Sequence, residues 1–320
     1  MLPADLAPEA FSTVGLPAAH RVDLWETHNA TALVGLDVHA GHPLFATELN
    51  VHLPHTDLAR VAASAHMVRR TKNVIERSPA DAIAVYLTLR GDAWFESAEG
   101  ARSLRPGDLL ICETNRPFAR GFSYGLQELV VKAERAALPE VRPLSGPVVT
   151  SFCGNGRSSQ YARALATITG GATRARQHRP ADEGTVLDLI TVLAAGRSAS
   201  PATAHRAAAH SYIEKHLTNP DLGAEEVAAV IGISARQLSR IFAADGTSIP
   251  RHILSRRLHL AYALLAAGQP TAPTVADIAA RCGFTSVTYF SHTFRQHFGH
   301  KASDVCGGGR VREPSQQKIT

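Results

Sequence analysis

Residues Gly232–Gly246, GISARQLSRIFAADG, return about fifty residues later in altered form as Gly283–Gly299, GFTSVTYFSHTFRQHFG. Each stretch opens with Gly, an apolar residue and a small hydroxyl residue. Each then carries an apolar-Ser-basic-x-Phe core, Leu238-Ser239-Arg240-Ile241-Phe242 in one and Phe290-Ser291-His292-Thr293-Phe294 in the other. The likeness extends backwards, EVAAVIGIS against DIAARCGFT, so that Ala228 stands four before Gly232 and Ala279 four before Gly283. This spacing predicts a helix-turn-helix built twice: the small Ala lets a second helix cross closely, and the Gly makes the tight turn.

In each copy the two large apolar residues lie one helical turn apart and bury together against the preceding helix. The opposite face keeps Arg236, Ser239 and Arg240 in the first copy, and Thr288, Tyr289, Ser291 and His292 in the second. Short hydroxyls and long donors on one helix face suit the major groove, where base edges present acceptors. The same Leu and Phe spacing also serves an ordinary helical core, and one copy would leave the two readings level. Charge separates them. Residues 1–199 hold 20 Lys/Arg and 20 Asp/Glu, whereas residues 200–320 hold 13 and 8, so the whole net charge of +5 (13 − 8) lies with the repeat. A local basic excess beside a duplicated reading face points to a polyanion partner.

The rest of the chain reads differently. From about residue 30 to 134, ATALVGLDV, IAVYLTLRG, AWFES, LLICE and LQELVVKAE are short β-like runs cut by turns such as LRPGD and TNRP. This pattern predicts a β-sandwich or small barrel able to enclose a ligand. Helical spacing follows in Ser158–Thr169 and Asp182–Gly196, with Gly170-Gly171 and Gly196 as expected stops. The Ser/Pro-rich connector Arg197–Thr203 marks a boundary. Beyond it, PRHILSRRLHLAYALLAAG carries one apolar stripe of Leu254, Leu258, Ala261 and Leu265. The expected class is therefore α+β: a β-barrel domain with a helical linker, then an all-α domain with two helix-turn-helix units. The expected boundaries are 1–200 (helices about 157–196), 201–305, and a polar, Gly-rich disordered tail at 306–320.

The C-terminal region resembles the AraC/XylS transcription regulators, on the stretches EVAAVIGISARQLSRIFAADGTS, RRLHLAYALL and VADIAARCGFTSVTYFSHTFRQHFG. The N-terminal region resembles, more weakly, the cupin-like sensor barrel of one branch of that family, in HMVRRT, LTLRGDAWF and SLRPGDLLICETNRPF. The resemblance implies two units entering successive major grooves on one face of the duplex, about 34 Å apart. It places base-reading positions on Arg236, Ser239 and Arg240, and on Val287, Thr288, Ser291 and His292. His292 stands where the family usually has Arg, and the family's Ser-Pro-x-x-Tyr-Arg ending is KASDVCGGG here. The implied function is a DNA-binding regulator, an activator by expectation, governed by a small-molecule effector. A homodimer contacting RNA polymerase, with the linker helices in dimerisation or relay, is the expected assembly.

For the effector, Tyr86, Trp94 and Phe118 are the candidate aromatic surface and Arg70 the candidate counter-charge. Each serves equally well as barrel core or a surface ion pair. The alternative function is a ligand-binding or metal-dependent cupin-like enzyme with a helical oligomerisation module. His39, His42, His52, His55 and His66 invite it, but H-x-x-H on a strand sends its two rings to opposite faces. No metal or cofactor is therefore expected. Cys112, Cys153, Cys282 and Cys306 form no C-x-x-C, which fits a reduced, cytoplasmic protein. No apolar run approaches the ~20 residues of a membrane span.

Overall fold

The computed structural model describes residues 8–175, 178–267 and 273–305. Its N-terminal part comprises β1 (Glu9–Ser12), α1 (Arg21–Ala32), β2 (Asp37–His39), β3 (Ala46–His52), β4 (Thr56–Ala63), β5 (His66–Arg70) and α2 (Lys72–Arg77). There follow β6 (Ala82–Arg90), β7 (Ala93–Ser97), β8 (Gly100–Leu104), β9 (Asp108–Glu113), β10 (Phe118–Phe122), β11 (Leu126–Glu134) and β12 (Val148–Ser151). The strands form a seven-stranded sheet, β1-β3-β4-β11-β6-β9-β12, and a five-stranded sheet, β2-β5-β10-β7-β8. Every strand pairing in them is antiparallel. These two antiparallel sheets are the β-sandwich or barrel expected from the short, turn-bounded runs.

Alternation sorts the central strands between two cores. On β6, Ala84 and Tyr86 face the barrel interior, where Trp25, Phe95, Leu110, Phe118 and Phe122 meet. Ile83, Val85 and Leu87 face the other way, onto α3 (Arg157–Ala172) and α4 (Glu183–Ala195), against Leu165, Ile168, Leu189 and Ile190. A strand buried on both faces needs the continuous apolar run that IAVYLTL supplies.

Two local expectations change. ATALVGLDV is not one strand: Ala30–Ala32 finish α1, and only Asp37–His39 pairs in a sheet. Trp25 and Leu33 are drawn into the barrel core, and that burial overrides the local pattern. Gly170-Gly171 does not stop α3, which continues to Ala172. Gly170 instead permits close approach. Arg60 on β4 donates to its carbonyl at 2.9 Å, and a Cβ there would stand 3.4 Å from both Arg60 and Leu129. Gly196 is a stop as expected, capping α4 at φ +54°.

The C-terminal part is helical: α5 (Pro201–His216), α6 (Ala224–Ile231), α7 (Ala235–Ala244), α8 (Ile249–Ala266), α9 (Val275–Arg281), α10 (Val287–Phe298) and α11 (Ala302–Val305). Ser200 caps α5 by accepting from Thr203 N. The helix then serves two cores, with Ala207 packed into the α3–α4 layer and Ala209 and Ile213 into the helical domain. The expected tail, with Cys306, lies outside the described residues.

Candidate nucleic-acid interface

Both repeats form the same turn. In the first, Ile233 N–H donates to Ala228 O and Gly232 N–H to Ala229 O; in the second, Phe284 N–H donates to Ala279 O and Gly283 N–H to Ala280 O. This paired pattern is a Schellman motif, which needs a left-handed residue at its turn. Gly232 and Gly283 supply it at φ +80° and +81°. The chain then sets off at 102° from α6 into α7, within the range of helix-turn-helix units.

The copies differ by one residue at the start of the second helix. Ser234 caps α7 by accepting from Gln237 N. The matching hydroxyl in the other copy is Thr285, yet the cap is Ser286, which accepts from Tyr289 N. The extra residue lengthens the turn and still brings Phe290 and Phe294 to the places of Leu238 and Phe242. All four are at most 1% exposed, in one core shared by both units.

The helix α8 holds the units together. Its 18 residues span about 27 Å at 1.5 Å per residue. The adjacent arginines of RRLHLAYALL have separate anchoring roles. Arg256 donates to Glu214 Oε1 at 2.5 Å and to Pro180 O at 2.6 Å, fixing α8 to α5 and to the segment before α4. Arg257 donates to Leu217 O at 3.0 Å and Asn219 O at 2.5 Å, capping the C-terminal end of α5.

His259 of α8 sits edge-on to His297 and Phe298 of α10. Burial, with the nearby Arg256 and His297 charges, pushes its pKa down to about 4. An unfolded histidine titrates near ~6.5, so between those values the unfolded chain binds more protons than the folded one. Stability contributed by neutral His259 is therefore present above pH ~6.5 and declines as pH falls towards about 4. Urea unfolding at pH 7.5 and pH 5.0 is expected to show about 1–2 kcal/mol of acid destabilisation from this site. A His259→Gln chain should lack that component; an unchanged pH dependence in the variant would refute the assignment.

The seven expected reading positions lie on outward faces. Arg236, Ser239 and Arg240 on α7 are exposed, as are Val287, Thr288, Ser291 and His292 on α10. Among the described residues neither Arg236 nor Arg240 makes an ion pair, so both guanidinium groups are presented to solvent. The sequence reading missed Arg295. It is exposed and lies seven residues beyond Thr288, completing the stripe Thr288, Ser291, His292, Arg295. That helical spacing was the available signal.

The four effector candidates are not brought together. Arg70 is fully buried, and its guanidinium donates to Thr114 O at 2.5 Å, Gly35 O at 2.7 Å and Ser78 O at 2.9 Å. Those three carbonyls make it a loop anchor rather than a free counter-charge. Trp94 faces away from the barrel interior, its indole lying over Gly121 in the space a Cβ would need. Phe118 stacks on Phe95 at 5.5 Å. Only Tyr86 lines the barrel cavity, of about 40 Å³, under Arg120. Arg120 itself grips Glu128 with two bonds, 3.1 and 2.7 Å, and its Nε has no partner.

The β-region histidines are dispersed. His52 contacts Asp57, His55 contacts Glu134, and His66 Nδ1 donates to Ser64 O. Burial pushes the Cys112 thiol up to about 12, which makes it a poor nucleophile at neutral pH.

The fold and its exposed faces define a DNA-binding protein with two helix-turn-helix units carried beside a β-barrel domain. Residues 227–306 match the helix-turn-helix domain family. The chain is 35% identical over 123 residues to the transcriptional activator RhrA of Rhizobium meliloti (strain 1021), a match covering 37% of this chain and 38% of that one. It is 27% identical over 263 residues to the transcriptional activator NphR of Rhodococcus sp, covering 77% of this chain and 76% of that one. In structure it is similar to the AraC-like transcriptional activator CuxR, at 19% identity, 80% and 95% coverage and a TM-score of 0.46. The chain is thus similar to transcriptional activators, with the helix-turn-helix family match confined to its C-terminal part.

Proposed function

We propose that this chain is a sequence-specific DNA-binding regulator that activates transcription in response to a small-molecule effector received by its N-terminal domain. It works in the cytoplasm as a homodimer and meets RNA polymerase at the promoter; it performs no catalysis of its own. The observation that carries the DNA reading is the pair of unpartnered, outward helix faces held by one core. The sign of regulation is taken from RhrA and NphR, both named as activators.

The effector reading is supported by a physical link between the domains. Arg206 of α5 donates to both oxygens of Asp188 on α4 at 2.5 Å and reaches Asp245, just past α7, at 3.2 Å. A shift of α4 is thereby felt at the first reading helix. The barrel cavity, at about 40 Å³, is far below the roughly 300–1,000 Å³ of small-molecule pockets. An effector entering there must displace the Trp25, Tyr86 and Phe122 side chains that line it.

Selection of bound sequences from a random DNA pool with the full chain, at two salt concentrations, tests the reading. The expected product has two half-sites about 10–10.5 bp apart, with affinity falling steeply as salt rises. Recovery of no preferred sequence would overturn sequence-specific regulation.

A further inference from the structure

Three side chains far apart in the sequence converge at the joint between the domains. Asp182 caps the start of α4, His210 lies on α5 and His252 on α8, and their ligating atoms all stand within 4.8 Å of one another. We propose that they form a binding site for a zinc-class divalent cation that pins the N-terminal domain to the DNA-binding domain.

The spacing fits a metal. His210 Nδ1 and His252 Nε2 face each other at 3.2 Å. Two nitrogens bound to a tetrahedral zinc at about 2.0–2.1 Å stand about 3.3–3.4 Å apart. Without a cation the facing nitrogens hold at most one shared hydrogen between them. The carboxylate has a spare ligand atom: Asp182 Oδ2 accepts from Thr185 N and Oγ1, at 2.9 and 2.5 Å, and Oδ1 makes no hydrogen bond among the described residues.

A supporting shell is present. His210 turns its other nitrogen, Nε2, towards Asp188 Oδ2 at 3.7 Å, and Asp188 is fixed by Arg206 through two bonds. A carboxylate behind a ligating imidazole sets its tautomer and raises its basicity. Both rings are buried, at 5% and 8% exposure. A cavity of about 1,010 Å³ lined by Asp182, Asp188, His210 and His252 gives an entry path and room for a fourth ligand.

The location gives the cation a consequence for the reading helix. Phe242, the core residue of α7, packs 5.2 Å from the His210 ring and 5.9 Å from the His252 ring. One ion would therefore hold α4, α5 and α8 together directly beneath the first reading helix.

The test uses the full, untagged chain, stripped with chelator and titrated with Co²⁺ and then Zn²⁺. One equivalent of Co²⁺ is expected to give the intense visible absorption of a four-coordinate ion, which Zn²⁺ then abolishes. Asp188→Asn should weaken binding about 10–100-fold, and Asp182→Asn and His252→Gln at least as much. Asp182→Asn keeps a side-chain acceptor for the helix cap, so it remains decisive if His252→Gln does not fold. The proposal is overturned if the folded wild-type chain takes up no stoichiometric metal. It is equally overturned if one equivalent still binds undiminished in folded Asp182→Asn. Neither readout involves DNA, so the outcome stands apart from that of the sequence-selection experiment.

Discussion

Glu128→Ala is expected to destabilise the N-terminal domain by about 3–5 kcal/mol, the cost of leaving one member of a buried ion pair alone. Arg120 and Glu128 face each other across the barrel from different sheets, with side chains 3% and 6% exposed. Burial disfavours the Arg120 cation, but the Glu128 charge and its hydrogen bonds outweigh that and hold Arg120 protonated. Tyr86 adds its ring face at 3.7 Å. Removing Glu128 leaves the cation in an apolar cavity. Replacing both partners, as Arg120→Met with Glu128→Leu, removes the charge and fills the space, so the double variant is expected to regain most of the loss. Chemical denaturation of the three chains measures this. A single variant within 1 kcal/mol of wild type, or a double variant no better than the single, would show that the pair is not isolated from water as the structure has it.

Arg240→Ala is expected to remove about 1–3 kcal/mol of discrimination at one half-site, because a guanidinium can make paired bonds to guanine O6 and N7. His292→Ala, at the matching position of the second unit, should cost less at pH 7.5. An imidazole carries two ring nitrogens that point apart, so it cannot make the paired fork of a guanidinium. Arg295 alters the balance on the second helix without reversing it. It lies in the last turn of α10, whereas base edges are met by the N-terminal residues of a reading helix. Arg295→Ala should therefore weaken binding evenly across sequences and reduce the salt slope by about 0.9. Affinities of the three variants for operators altered in each half-site would decide the ranking. A larger specificity loss from His292→Ala than from Arg240→Ala would transfer the main recognition to the second unit.

Much of this was legible because it is local. Gly232 and Gly283 announce left-handed turns, since a side chain is strained there. The i, i+4 pairs Leu238/Phe242 and Phe290/Phe294 fix which face of each helix is buried, so the exposed face followed. The strands around IAVYLTL and LQELVVKAE were visible for the same reason, as apolar runs bounded by turns. The effector candidates fared differently. Arg70, a candidate, and Arg120, which was not one, both occupy inward positions of paired strands, and only the surrounding loops and the opposite sheet distinguish them. Arg70 meets three carbonyls, whereas Arg120 meets a carboxylate and a ring.

The sequence by itself determined the two helix-turn-helix units, their exposed faces and the β character of the first domain. Each rests on periodicity and turn chemistry within about twenty residues, where spacing along the chain sets spacing in space. Tertiary structure alone decided the shift of the second cap from Thr285 to Ser286, the Arg120–Glu128 pair and the meeting of Asp182, His210 and His252. Asp182 caps α4, and His210 and His252 lie on α5 and α8, at separations of 28 and 42 residues (210 − 182 and 252 − 210). No local rule links them. Their approach depends on how α5 divides its two faces between the cores, and that is settled only when both cores pack.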